Sequence, residues 1–200
     1  MGIYSKKTQF QNILKPLHKL CKEKRIHPNT MTVIGIASSI IIGFVFFVAE
    51  THTLWLIMIP LLTLVRITTN ALDGMLARST KGINHNIGEV LNELGDRISD
   101  AFIFLGLAFS TYVWQFVGEL TLVLILLNSY LSILSKAAGA SRQYRGIMGK
   151  ADRMIVISIM SILTLVFRNF SIINYGLVGI FFSTGLTMVQ RYKSTTRELR

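Results

Sequence analysis

Cysteine and acidic residues are what this 200-residue chain has least of: Cys21 is its sole thiol, and ten Asp and Glu stand against twenty-one Lys and Arg. A single cysteine excludes an internal disulfide framework and a cysteine-rich metal site. The sequence also lacks an internal repeat, a low-complexity tract and any stretch that reads as a second soluble domain. Its first thirty residues carry seven Lys and Arg and no uninterrupted apolar core running to a small-residue cleavage site, so they do not read as a signal peptide. The formal net charge of +11 would suit nucleic acid, yet the basic residues lie in short segments between hydrophobic runs, where topology-setting charges lie. Nucleic acid is therefore not an expected partner.

What the chain has in abundance is apolar sequence. Hydrophobic residues make up 51% of it and fall in long runs rather than periodic stripes. A bilayer core requires roughly 20 mostly apolar residues per spanning helix. The runs near Met31–Ala49, Trp55–Leu76, Ile98–Trp114, Thr121–Leu134, Met154–Phe167 and Ile172–Met188 predict six spans. The expected fold is an all-α integral membrane protein, one membrane domain over 1–200. An interfacial segment covers 1–29, a six-helix bundle 30–190 and a tail 191–200. Thr8 to Ile26 interleaves Phe10, Ile13, Leu14, Leu17 and Leu20 with Lys15, Lys19, Lys22, Lys24 and Arg25, which predicts an amphipathic helix whose lysines reach anionic headgroups. Pro28 and Asn29 are expected to break it, with Thr30 as the N-cap of span one.

Alternate links hold Lys6 to Arg25, Arg78 and Lys81, Arg142 to Arg153, and Arg191 to Arg200, all on one side. The positive-inside rule makes that side, and both termini, cytoplasmic. Trp55, Tyr112 and Trp114 lie near the opposite ends of their spans, as interfacial anchors do.

Ionisable residues inside spans are costly and are functional candidates by default. Five of the ten acids lie between Asp73 and Asp100. The end of span two reads Asn70-Ala-Leu-Asp73-Gly74-Met-Leu-Ala77-Arg78, with Asn70, Asp73 and Ala77 on one helix face. Span three opens Gly88-Glu89-Val-Leu-Asn92-Glu93-Leu-Gly-Asp96-Arg97-Ile-Ser-Asp100. At roughly 100° per residue, Glu89, Asn92, Glu93, Asp96 and Asp100 fall within an arc of about 100°. Oxygen ligands without cysteine suit Mg2+ or Mn2+ rather than zinc. Gly74 and Gly88 admit a close approach of helix or phosphate, and Arg78 is placed to meet a phosphate. The pattern points to metal-assisted phosphate chemistry, with a structural polar patch and a cation pathway as the competing readings. Beyond Asp100 span three carries no further charge, which disfavours a pathway.

These residues resemble the signature of the CDP-alcohol phosphatidyltransferase family, Asp-x-x-Asp-Gly-x-x-Ala-Arg, eight residues, Gly-x-x-x-Asp-x-x-x-Asp. Asp73, Gly74, Ala77, Arg78, Gly88 and Asp96 match in type and order. Asn70 and Asn92 stand where the family has its first and third aspartates, and the interval from Arg78 to Gly88 is one residue longer. A register using Asp96 and Asp100 as the last pair loses the glycine match.

The resemblance implies a homodimeric enzyme of the bacterial inner membrane that moves a phosphatidyl group from a CDP-lipid donor to a small alcohol and releases CMP. It implies Asn70, Asp73 and Asn92 as metal ligands gripping the diphosphate, and Asp96 as the base that deprotonates the acceptor hydroxyl. Glu93, Glu89 and Asp100, on the same face, are candidates to restore the charge lost at the asparagines. Relatives that use phosphorylated polyols carry a segment like Gly149-Lys150-Ala-Asp152-Arg153. This makes Arg142, Arg145, Lys150 and Arg153 candidate contacts to a phosphorylated acceptor, although the positive-inside rule accounts for part of this charge. Arg66, inside span two, requires a partner, with Asp100 or a lipid phosphate as the candidates. The two asparagines also admit a catalytically silent relative that acts as a scaffold or lipid-binding subunit.

Overall fold

A computed structural model describes residues 7–79, 85–144 and 146–200, helical almost throughout and without a strand among them. Arg145 and Lys81 lie outside the described residues. Two short helices, α1 (Lys7–Ile13) and α2 (Lys15–Glu23), precede six long ones. These are α3 (Pro28–Val48), α4 (Met58–Ser79), α5 (His85–Ala108), α6 (Gln115–Ala137), α7 (Lys150–Phe167) and α8 (Ser171–Glu198).

Helix α3 starts two residues earlier than Thr30. Pro28 fills its first position, where the missing N–H costs nothing, and the His27 ring accepts from the Asn29 N–H at 3.2 Å. Its 21 residues extend about 31 Å at 1.5 Å per residue, enough for a hydrocarbon core. Among the described residues, four helical stretches are long and apolar enough to cross a membrane: Pro28–Val48, Thr53–Ser79, Gln115–Ala137 and Ser171–Glu198. Helices α5 and α7 are the other two runs expected to span. Each is apolar at one end and charged at the other. Helix α5 stops at Ala108, and Ser110 turns back to bond the Leu107 carbonyl, so the run to Trp114 is not one helix.

The long helices close a ring in the order α3, α5, α6, α8, α7, α4, so that α4 returns to α3. Phe46, Phe104, Leu107, Ile125, Ile157 and Leu177 fill its middle. Large apolar side chains such as Phe47, Leu61, Phe116, Val166 and Phe182 face outward. Small and hydroxyl residues occupy the contacts inside, as in helices that associate within lipid. Thr63 bonds Ser158 at 2.6 Å between α4 and α7, and Ser135 bonds Thr195 at 2.7 Å between α6 and α8.

The two ends of the ring differ. At one end α2 docks on α4 through His18 and Ser79 at 3.0 Å and through buried Leu14 and Cys21 packed with Met31, Leu72 and Leu76. The last turn of α8 reaches the α6–α7 loop at the same end, where Glu198 accepts from Ser141. At the far end Asn174 bonds the Trp114 N–H and the Tyr112 carbonyl, and Tyr112 bonds the Phe46 carbonyl at 2.6 Å. Charged groups thus gather at one end and aromatic, neutral contacts at the other.

Helices α3 and α5 touch backbone to backbone at Gly43 and Gly106. A Cβ at Gly106 would sit 2.1 Å from the Gly43 carbonyl oxygen, and one at Gly43 would sit 2.2 Å from that of Phe102. Gly106→Leu therefore forces the pair apart. It is expected to cost at least about 1–3 kcal/mol, as overpacking does, and to lower the melting temperature in detergent. An unchanged melt would contradict this contact.

Candidate active site at the charged end of the bundle

Helix α4 brings Asn70, Asp73, Gly74, Ala77 and Arg78 to the charged end. Asp73 is buried and accepts from the Thr32 hydroxyl of α3 at 3.4 Å. It makes no ion pair among the described residues. Arg78 folds back over Gly74, where an added Cβ would meet its guanidinium at 3.4 Å. Together with Gln11, Asn12, Lys15, His18 and Met75 it lines a cleft of about 330 Å³ against α2. Gly88 has open space around its Cβ position, so it leaves room rather than admitting a neighbouring helix.

The acidic face expected on α5 is present, and each of its acids is met by a cation from another part of the ring. Glu89 accepts from Lys136 of α6 at 2.6 Å and lies 3.8 Å from Arg142. Glu93 pairs with Arg142 of the α6–α7 loop. Burial works against the Arg142 charge, but Glu93 and then Glu89 outweigh it and hold the guanidinium more firmly protonated. Asp100, fully buried, pairs with Arg153 of α7 at 2.7 Å. Asp96 is shared. Its Oδ1 takes Arg66 of α4 at 3.2 Å together with Lys150 of α7, while its Oδ2 has only Arg97 at 3.8 Å. Arg66 therefore pairs with Asp96 and not with Asp100, because Arg153 occupies the latter.

Lys150 bridges the two halves of the motif. Its ammonium donates to Asn70 Oδ1 at 2.6 Å as well as to Asp96. It is thus turned away from Arg142 and Arg153, with which the sequence grouped it. Those two join a cation that sequence reasoning passed over, Arg191 near the end of α8. Arg191 is buried, donates to the Asn128 carbonyl and to Ser132, and feels the charges of Arg153, Arg97 and Arg142. The Nε atoms of Arg97, Arg142 and Arg153 are buried with no acceptor among the described residues. Arg191 escaped notice because it opens what reads as a charged tail.

Among the described residues no group of three or more His, Cys, Asp and Glu side chains is arranged as a metal site. Two features fit a hard cation: the Asp73 carboxylate, free of ion pairs, and Asn92 Oδ1, buried without a hydrogen-bond partner. Asn70 and Asp96 do not fit one in the same way, since an ammonium already joins their oxygens.

The Asp100–Arg153 pair yields a stability prediction. Arg153→Met leaves a buried carboxylate alone and is expected to cost about 3–5 kcal/mol. The double variant Asp100→Asn/Arg153→Met should recover most of the loss. Thermal unfolding of the four proteins of this cycle checks it, and additive losses would contradict the pairing.

The family model of the CDP-alcohol phosphatidyltransferases matches residues 25–189. The inner membrane protein YnbA of Escherichia coli K12 is 31% identical over 156 residues, covering 78% of this chain and 77% of its own. The archaetidylinositol phosphate synthase of Pyrococcus horikoshii is 27% identical over 190 residues, 94% of each chain. In fold, the chain resembles the Mycobacterium tuberculosis phosphatidylinositol phosphate synthase solved with CDP-DAG bound. The TM-score is 0.73 at 21% identity, over 92% of this chain and 94% of that one. With five-sixths of its length matched by the family model and the motif residues gathered at one end of a six-helix ring, this chain belongs to the CDP-alcohol phosphatidyltransferase family.

Proposed function

We propose that this transferase takes CDP-diacylglycerol as donor and a phosphorylated alcohol as acceptor, at the cytoplasmic face of a bacterial inner membrane. The observation that carries the acceptor class is the guanidinium cluster of Arg97, Arg142, Arg153 and Arg191 beside Asp96. Three buried Nε donors there lack an acceptor, and a phosphate has the charge and the oxygens to satisfy them. Arg97 is the link, since its guanidinium also lies against Asp96 Oδ2. The names of two relatives, phosphatidylinositol phosphate and archaetidylinositol phosphate synthases, agree with a phosphorylated polyol.

In this reading all six long helices cross the bilayer. The charged halves of α5 and α7 are shielded inside the ring, and both termini are cytoplasmic because both lie at the cation-rich end. Helices α1 and α2 rest at the interface, with Ile13, Leu17 and Leu20 exposed toward lipid. A homodimer, implied by the family, is part of the same reading. So is the division into a segment 1–29, a bundle 30–190 and a tail 191–200.

Asp96 is the base. Oδ1 is held by Arg66 and Lys150, which leaves Oδ2 to accept the proton. The acceptor hydroxyl oxygen bonds to the lipid-side phosphorus, its proton passes to Asp96, and the bond from that phosphorus to the CMP oxygen breaks. A divalent cation, Mg2+ or Mn2+, held by Asp73 with Asn92, neutralises charge on the diphosphate when bound. Arg78 and Gly74 face the same diphosphate.

The test is CMP release by purified protein in lipid with CDP-diacylglycerol, with and without Mg2+ or Mn2+. The acceptors are phosphorylated polyols, their unphosphorylated forms and serine. Metal-dependent release with a phosphorylated acceptor only, lost in Asp96→Asn, is expected. Arg97→Gln is expected to raise the acceptor KM about tenfold or more, the worth of one charge-assisted hydrogen bond, with the donor KM little changed. If the donor binds but no acceptor yields CMP, the chain is a silent scaffold. The acceptor class fails if serine serves as well.

A further inference from the structure

The resemblance calls for four aspartates, the first three holding two divalent ions and the fourth acting as base, and this chain departs from it at Asn70 and Asn92. The departure removes two negative charges, the charge of one divalent ion. The structure places a positive charge of its own between the same two helices. Lys150 Nζ lies 2.6 Å from Asn70 Oδ1 and donates to Asp96 Oδ1. An ammonium with three donors can join an amide oxygen and a carboxylate much as a metal does.

We propose that Lys150 takes the place of one of the two ions in this chain, so that a single divalent cation, centred on Asp73, completes the site. Four observations converge on this. Asp73 is buried with no ion pair among the described residues, so its charge remains for a metal. Asn92 Oδ1 is buried and unpartnered, so its carbonyl remains for the same metal. The oxygens of Asn70 and Asp96 are joined by an ammonium from α7, and Arg66 sits on the far side of that Asp96 oxygen. Lys150 and Arg66 already balance the charge of the Asp73 and Asp96 carboxylates, so each divalent ion adds two positive charges that only the substrate diphosphate can meet, and a second ion doubles that excess. The substitution is therefore coupled. Aspartate at position 70 or 92 belongs with a second ion, and asparagine belongs with the lysine.

This inference rests on the transferase reading above but is measured without turnover. Purified protein in nanodiscs of neutral lipid is titrated with Mn2+, and bound ions per chain are counted from the loss of the free-ion electron paramagnetic resonance signal. The wild type is expected to bind one ion, and Asp73→Asn none. The triple variant Asn70→Asp/Asn92→Asp/Lys150→Met is expected to bind two. Two ions or none on the wild type would overturn the proposal, and so would a triple variant that stays at one. Thermal melting of each variant ensures that only folded protein is counted. A failed CMP assay with one bound ion would sink the function and leave the ion count standing. Two bound ions with normal turnover would do the reverse.

Discussion

The carboxylate of Asp96 is the point on which the charged end of this bundle depends. A buried carboxylate must be neutralised by partners of fixed geometry, because an unpaired charge in a low-dielectric interior costs several kcal/mol. Asp96 recruits Arg66 from α4 and Lys150 from α7, while α4 and α5 are not neighbours in the ring. One side chain of α5 therefore sets how α4 and α7 stand relative to it. Helix α3 gives way to make this possible. A Cβ at Gly35 would lie 3.0 Å from Arg66 Nη1, so glycine there leaves the corridor that the guanidinium needs.

The contrast between the two ends follows from what each must do. The far end closes the ring with neutral hydrogen bonds and aromatic contacts, Tyr112 with Phe170 and Trp114 with Tyr175 among them. Such groups are at ease in the headgroup region. The charged end draws cations from α4, α5, α6, α7, α8 and the loop between α6 and α7. A donor with its acyl chains in the bilayer and its diphosphate at the surface can meet a water-soluble acceptor only at such an end. Below it lies an apolar core in which Phe46, Phe104 and Ile125 are fully buried.

Much of this was legible in the sequence. The apolar runs located the long helices, and helical periodicity placed Glu89, Asn92, Glu93, Asp96 and Asp100 on one face. Periodicity specifies which residues share a face but not which helix that face meets. Asp96 and Asp100 are one turn apart, so spacing alone could not decide which of them Arg66 would reach. The answer depended on Arg153, which lies 53 residues beyond Asp100 in the chain. Lys150 presented the same difficulty. Its motif groups it with the loop arginines, but as the first residue of α7 its long side chain reaches across to α4 and α5. Arg191 was hidden by its position after the last apolar run, where a basic residue reads as a topology signal. His27, not Thr30, caps α3 because the proline at N1 fixes where that helix begins.

The fate of the other acids on α5 bears on what the asparagines mean. Restoring the two missing charges would require carboxylates free to turn toward the metal, and Glu93, Glu89 and Asp100 were the candidates on that face. Each is engaged elsewhere: Glu93 by Arg142, Glu89 by Lys136, and Asp100 by Arg153. Freeing any of them for a metal would strand a cation, and for Arg153 that cation is buried. The same pairs position the guanidinium groups of Arg142 and Arg153, so turning one of these acids toward α4 would also release its arginine. Asp73 is under no such constraint. The acids of α5 thus organise the arginines, while charge for a metal falls to the one motif carboxylate on α4.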